Sequence, residues 1–196
     1  MSNITLYDTL KSSYNDKKTM SKLKNDGYNL DSMLSNRNNQ VWVNPEKRKL
    51  IFAVKGTNPT SLKDIGTDIY LAVGQLHKTD RYKDSKRIIN DARNKYQNND
   101  ITNTGHSLGG SIVSRLSKPN EKVYAYNEGV SPFQKTRSYN GNHQHIRSQI
   151  DPVSILGSNA KHMKTITNVH NPTGLLPIDL LKSHNLESLK NKIIKL

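Results

Sequence analysis

The sequence predicts an α/β fold in which a mostly parallel sheet is flanked by helices, a three-layer αβα arrangement. Three observations carry this. Short strand-like runs alternate with amphipathic helical stretches along the chain, the order that gives parallel sheets with crossover helices. Leu50-Ile-Phe-Ala-Val54 is continuously apolar, as a strand covered on both faces must be. The glycine-rich stretch Gly105–Gly110 lies where a strand pattern gives way to a helical one.

The elements follow in order. Leu6, Leu10 and Tyr14 have helical spacing within the polar first 39 residues, and Gly27 and Asn36–Asn39 mark loops. Gln40–Asn44 reads as a strand with Val41 and Val43 on one face and Trp42 on the other. A turn at Pro45–Arg48 joins it to Leu50–Val54, so the pair forms a hairpin that feeds the sheet. The next strong signal is a helix over 79–99, where Tyr82, Ser85, Ile89, Ala92 and Tyr96 make one stripe, with Thr79 or Asp80 as cap. Ile101–Thr104 is a short strand. Ser107–Ser117 is a helix with Leu108, Ile112, Val113 and Leu116 on one face. Lys122–Tyr126, Gln144–Ile150 and Lys164–Val169 are further strands. Leu186, Leu189, Ile193 and Leu196 predict a C-terminal helix over Leu186–Leu196.

Composition bounds the function. A chain of 196 residues suits one domain over 1–196. Leu, Ile, Val and Phe make up about 23% of it, just above the roughly 20% below which a charged chain stays disordered. Cys is absent, which excludes disulfides, thiolate zinc sites and a Cys nucleophile. No apolar run approaches the roughly 20 residues of a membrane helix, and the N-terminus has no signal-like apolar region. The expectation is an intracellular or virion-associated protein, soluble or peripheral at membranes. The abundance of Asn, Lys and Ile fits an AT-rich genome. The net charge of +14 favours an acidic partner, a nucleic acid or an anionic membrane surface, or serves solubility alone. The Lys and Arg residues are scattered and aromatics are only 6%, which argues against specific nucleic-acid recognition.

Gly105-His-Ser-Leu-Gly-Gly110 contains Gly-x-Ser-x-Gly. Composition alone gives roughly 0.06 such matches in this chain, and the strand–turn–helix context is the one in which the motif has a mechanical meaning. A serine on a sharp turn needs strained backbone angles, and small neighbours let strand and helix approach closely. The helix N-terminus that follows offers N–H groups and a positive dipole end to a developing oxyanion. Ser107 is therefore the candidate nucleophile. A serine needs a base oriented by a carboxylate. Among downstream acids, Asp151 opens a loop after a strand, where such an acid stands. Its alternative is a turn former before Pro152. His170 and His184 both follow the last strand. His77, His143, His145 and His162 read as structural or surface residues. Thr57, just past the apolar strand, offers a second N–H and a hydroxyl for the oxyanion.

These motifs together resemble the class 3, fungal-type lipases, a family of α/β-hydrolases, over about residues 40–190. The family's Gly-His-Ser-Leu-Gly-Gly stands unaltered at 105–110. Its Arg-Gly-Thr/Ser element is similar to Lys55-Gly56-Thr57, with Lys in place of Arg. Its following Asp resembles Asp68, its Gly-x-Pro-type loop Gly129–Pro132, its Asp-x-Val Asp151–Val153, and its His-x-Leu His184–Leu186. The resemblance implies Ser107 as nucleophile, Asp151 as orienting acid, His184 rather than His170 as base, and Thr57 with Leu108 as the oxyanion hole. It implies hydrolysis of carboxylic esters of lipids by way of an acyl-enzyme, with no cofactor and no metal. The partners are then a lipid ester substrate and, through the charge, peripheral contact with anionic membrane, with no specific nucleic acid. A lid often follows the oxyanion residue in this family. Here it falls on Asn58–Val73, with Leu62, Ile65 and Ile69 on one face and Gly66 and Gly74 as hinges. The same stretch reads equally as a helix packed permanently on the sheet. Two other readings compete: a catalytically inactive hydrolase fold that binds anionic membrane surfaces, and a basic nucleic-acid-binding protein.

Overall fold

The structure is a computed structural model and describes residues 3–57, 74–129, 142–148, 164–166, 184–190 and 192–196. Strands β1 (Asn29–Leu30), β2 (Asn39–Asn44), β3 (Lys49–Val54), β4 (Asp100–His106), β5 (Lys122–Tyr126), β6 (His143–Ser148) and β7 (Lys164–Ile166) form one sheet. They lie side by side in sequence order. β1–β2 and β2–β3 pair antiparallel, and every later pair is parallel.

That order decides where the helices go. Parallel neighbours joined by right-handed crossovers put their connecting helices on one face. Helices α3 (Asp80–Lys95) and α4 (Leu108–Leu116) join β3 to β4 and β4 to β5. Both pack on the same apolar cluster as Val41, Val43, Leu50, Phe52 and Val54. The chain ends cover the opposite face. There α1 (Leu6–Ser12) and α2 (Lys17–Asn25) bring Leu6, Leu10 and Leu23 against Trp42, Ile51, Ala53, Tyr124 and Tyr126. β3 is thus buried on both sides, which is why its sequence shows no polar alternation.

Caps fix both early helices. The Thr5 hydroxyl and the Asp8 carboxylate form a reciprocal capping box on α1. Asp16 accepts from the Thr19 N–H at 2.9 Å to start α2. The sequence reading has no α2. Its stripe is little more than Met20 and Leu23 among lysines, too thin to register as periodicity. Helix 79–99 ends earlier than predicted, at Lys95. The strand predicted over Ile101–Thr104 runs on to His106, which brings it to the doorstep of Ser107.

The predicted C-terminal helix does not form. Leu186–Leu189 is one 3-10 turn, and residues 194–196 lie antiparallel beside the N-terminus through a bridge between Lys195 and Thr5. The Leu6 N–H donates to the Ile194 carbonyl at 2.8 Å and the Leu196 N–H to the Ile4 carbonyl at 3.2 Å. Ile194 and Leu196 pack inward, while Ile193 is 78% exposed. Lys-Ile-Ile-Lys-Leu satisfies a two-residue period as well as a helical one. The β-branched pair and an available backbone partner decide for the extended form. The predicted lid Asn58–Val73, with Asp68, lies outside the described residues.

The turn at Leu186–Leu189 is also tied to α1. The Glu187 carboxylate accepts from Lys11 Nζ at 2.8 Å and from the Tyr7 hydroxyl at 3.0 Å. The bond from Lys11 outweighs the partial burial that opposes it. It holds the Glu187 carboxyl below its usual value of 4.5.

Two outcomes are expected. Deleting residues 192–196 uncovers Ile4 and Leu6 and removes the hydrogen bonds between the Leu6 N–H and the Ile194 carbonyl and between the Leu196 N–H and the Ile4 carbonyl. Thermal melting should fall by about 5–10 °C, the shift of 2–3 kcal/mol for a chain of this size, and an unchanged melting temperature would refute the strand pairing. A depressed carboxyl stabilises the fold above its unfolded value, and this is lost as pH falls through the folded one. Glu187→Gln should therefore cost less than about 1 kcal/mol at pH 7, as exposed pairs do, and its gap from the parent should narrow in parallel melts as pH falls below 4.5.

Candidate active site

Ser107 stands between β4 and α4 with φ 56° and ψ −124°. Such angles cost a non-glycine residue about 1–3 kcal/mol and persist only where neighbours over-determine them. Here they do. The Ser107 N–H donates to the Tyr126 carbonyl at 3.0 Å, and its own carbonyl accepts from the N–H groups of Ser111 and Gly129 at 3.2 and 3.3 Å. The glycines make the turn sterically feasible. A β-carbon on Gly105 would run into the Gly109 carbonyl, and one on Gly109 into the Val54 carbonyl. Leu108 opens α4, so its N–H belongs to the first turn, whose amides have no partner within the helix.

The Ser107 hydroxyl lies 2.9 Å from Nε2 of His184. Both residues are buried, at 0% and 1% exposure. His184 is held through its main chain. Its carbonyl accepts from His106 Nε2 at 2.8 Å and from Asn127 Nδ2 at 3.2 Å. Asn127 has φ 45° and its Oδ1 accepts the Ser148 N–H at 2.7 Å. The ends of β4, β5 and β6 thereby converge on one histidine.

The loop after β3 abuts this turn, because Val54 pairs with Gly105 in register. Three of its backbone groups are pinned. The Lys55 N–H donates to the Asn38 carbonyl at 2.9 Å. The Lys55 carbonyl accepts from Arg81 Nη2 at 2.5 Å. The Gly56 N–H donates to the Tyr14 hydroxyl at 3.1 Å. Gly56 has no space for a side chain, since a β-carbon would stand 2.7 Å from the His106 carbonyl. Thr57 follows, exposed. Burial pushes the Tyr14 hydroxyl well above its usual range, against the Gly56 hydrogen bond and the Arg81 charge, which pull the other way. It is therefore a protonated donor at neutral pH.

Of the residues singled out in the sequence, the structure brings Ser107 and His184 into hydrogen-bond contact and sets the Gly56–Thr57 loop against the same turn. Asp151, Asp179, His162 and His170 lie outside the described residues. His145 is buried with Nδ1 2.7 Å from the Glu128 carboxylate, which also accepts from the Ser114 hydroxyl at 2.7 Å. This is a structural tie behind α4. Glu121 is held by Arg93, Asn103 and the Lys118 N–H. Among the described residues no cluster of three or more His, Asp and Glu could hold a metal ion. The sequence reading gave no role to Tyr14, Arg81, His106 or Asn127. Tyr14 read as part of an apolar helical stripe. A polar tip at the end of that stripe, together with a histidine beside the serine, is the signal that marks both.

No protein-family model matches the chain, and no curated protein matches it. The chain is similar in structure to fungal lipases. With a fungal lipase–inhibitor complex it shares 13% identity over 64% of this chain and 60% of that one, at a TM-score of 0.40. With the Lip2 lipase from Yarrowia lipolytica the figures are 15%, 59%, 55% and 0.38. With the native Rhizomucor miehei lipase propeptide complex they are 13%, 85%, 68% and 0.46. The chain thus spans less than two thirds of the length of the first two.

Proposed function

We propose that this chain is a serine carboxylic-ester hydrolase of the class 3 lipase type, with the α/β-hydrolase fold, acting on lipid esters. The observation that carries the reading is the 2.9 Å contact between Ser107 Oγ and His184 Nε2, made on a strained turn at the start of a helix. That distance is within the reach a base needs to take the hydroxyl proton. His184 receives that proton as Ser107 attacks the ester carbonyl. The oxyanion that develops meets the N–H groups of Leu108 and Thr57. His184 then protonates the leaving alkoxide, and water, activated by the same histidine, releases the acid from the acyl-enzyme. Asp151 is the proposed partner of the other ring nitrogen, by its match to the family's acid motif. The lipid substrate comes from the same sequence resemblance. The charge of +14 suits approach to anionic headgroups, where each basic residue near the surface contributes about 1 kcal/mol.

Burst kinetics on p-nitrophenyl acyl esters of graded chain length test this. Ser107→Ala and His184→Ala should each lower turnover by roughly 10⁴-fold or more, and a fluorophosphonate probe should label Ser107 in the parent protein. Full activity in Ser107→Ala would sink the reading. Absence of labelling in the parent would favour an inactive fold that serves only as a membrane-surface binder.

A further inference from the structure

We propose that Tyr14 and His106 are positioning residues, forming a hydrogen-bonded relay that ties the loop at Gly56–Thr57 to the backbone of His184. The inference rests on the ester-hydrolase reading for its kinetic meaning. Its geometry stands apart from that reading.

Four residues far apart in sequence make one chain of contacts. The Gly56 N–H donates to the Tyr14 oxygen at 3.1 Å. Tyr14 Oη lies 2.8 Å from His106 Nδ1, and His106 Nε2 lies 2.8 Å from the His184 carbonyl. The direction of every proton follows from the last contact. A carbonyl only accepts, so His106 carries its proton on Nε2. Nδ1 of the neutral ring is then an acceptor, and Tyr14 donates to it. The Tyr14 oxygen keeps its lone pairs for Gly56. Each group in the relay is satisfied, which a buried polar network requires to be rigid rather than costly.

The surroundings hold the relay still. His106 is 4% exposed. Its ring stacks on Tyr126 at 6.0 Å between centroids and 27° between planes, and lies 5.1 Å from the His184 ring. The ammonium of Lys55 sits 5.1 Å from the centroid of the Tyr14 ring, a cation–π contact from the same loop that Tyr14 anchors. Lys55 thus braces the very loop it belongs to.

Two consequences follow. The Gly56 amide is consumed by Tyr14, so the Thr57 amide is the one left to meet an oxyanion. The relay is one of the hydrogen-bonded ties that set the spacing between the two halves of the proposed chemistry, oxyanion loop and base, beside the Asn127 amide that also holds the His184 carbonyl. A misplacement of about 1 Å costs up to about 10²-fold in rate. Tyr14 and His106 touch no reacting atom. They act through the groups they place.

Tyr14→Phe removes one oxygen and leaves the ring packing. The structural arm uses nitrogen-15 NMR on the full chain. His106 should show the Nε2–H tautomer in the parent, and the Gly56 amide should exchange with solvent at least 10-fold faster in Tyr14→Phe. The kinetic arm should show the acylation burst slowed 10- to 100-fold, with KM within about twofold and melting within a few degrees. His106→Gln keeps a donor for the His184 carbonyl and breaks the link to Tyr14. The double variant should be no slower than the worse single one, as for groups acting as a unit. An Nδ1–H tautomer in the parent, unchanged Gly56 exchange, a burst within twofold of the parent, or losses that multiply would each overturn the relay. Failure of the parent to react with a fluorophosphonate overturns the hydrolase reading instead, and the NMR arm then judges the relay by itself.

Discussion

Helix α4 meets the ends of β3 and β4 so closely that Gly109 has no room for a β-carbon beside the Val54 carbonyl. Much else follows from that contact. It fixes where the helix begins relative to the sheet, and β4 must turn sharply to reach it, which forces Ser107 to φ 56°. A relaxed turn would carry the helix start outward and leave the first-turn amides without a common focus. The same approach brings the loop after β3 alongside the turn, so Gly56 in its turn has no space for a side chain. Three glycines and a strained serine are thus one constraint expressed four times. The cost of the strain, about 1–3 kcal/mol, is offset by hydrogen bonds that grip Ser107 on both sides, to the Tyr126 carbonyl of β5 and from the N–H groups of Ser111 and Gly129.

The parts of this arrangement legible in the sequence are those whose signal is local. The apolar run of β3, the alternation of β2 and the Gly-x-Ser-x-Gly spacing each state their geometry within six residues. The tail at 192–196 was not legible, because Ile193 and Ile194 between lysines fit a helix or a strand. The decision lies with the backbone of residues 4–6, nearly two hundred positions away. Helix α2 escaped for the opposite reason, having a good cap in Asp16 and almost no apolar stripe. Tyr14 and His106 carry a meaning that only their meeting reveals. A tyrosine at a helical spacing and a histidine inside a motif are each ordinary, and only the sheet order places α1 over the end of β4. The acid proposed at Asp151 rests on motif and position alone.

A chain this lean in apolar residues cannot specify its packing by hydrophobic contact alone. Buried polar ties take up part of that task at the end of the sheet near His184. Tyr126 Oη meets the hydroxyls of Ser148 and Ser188 at 3.2 and 2.5 Å, linking β5, β6 and the turn after His184. Glu128 joins α4 to β6 through Ser114 and His145. At the other end Arg93, 12% exposed, pairs with Glu121, 3% exposed, and Asn103 completes the carboxylate. Such ties add little net stability compared with apolar isosteres, and they fail badly if one partner is lost. Their value is direction. Each accepts only one geometry, which is what a histidine that must face a hydroxyl requires.

The same economy explains the charge. The acids are few, and several are used as links between elements rather than as surface solvation. Asp8 joins α1 to Lys22 of α2 at 2.6 Å, Asp26 joins the end of α2 to Lys47 in the hairpin turn at 3.2 Å, and Asp31 holds Lys95 at 2.7 Å at the end of α3. Asp31 also accepts from Tyr96 at 2.8 Å. These three carboxylates are spent inside the architecture, while lysines such as Lys17, Lys18 and Lys24 face water. A surplus arising in this way is spread over the molecule, with a reach of about 8–10 Å at physiological salt. In the proposed function this surplus bears on approach to a surface, and the hydrogen bonds around Ser107 bear on the chemistry. The two properties are physically separable, so added salt should weaken any approach to an anionic surface while leaving the contact between Ser107 and His184 intact.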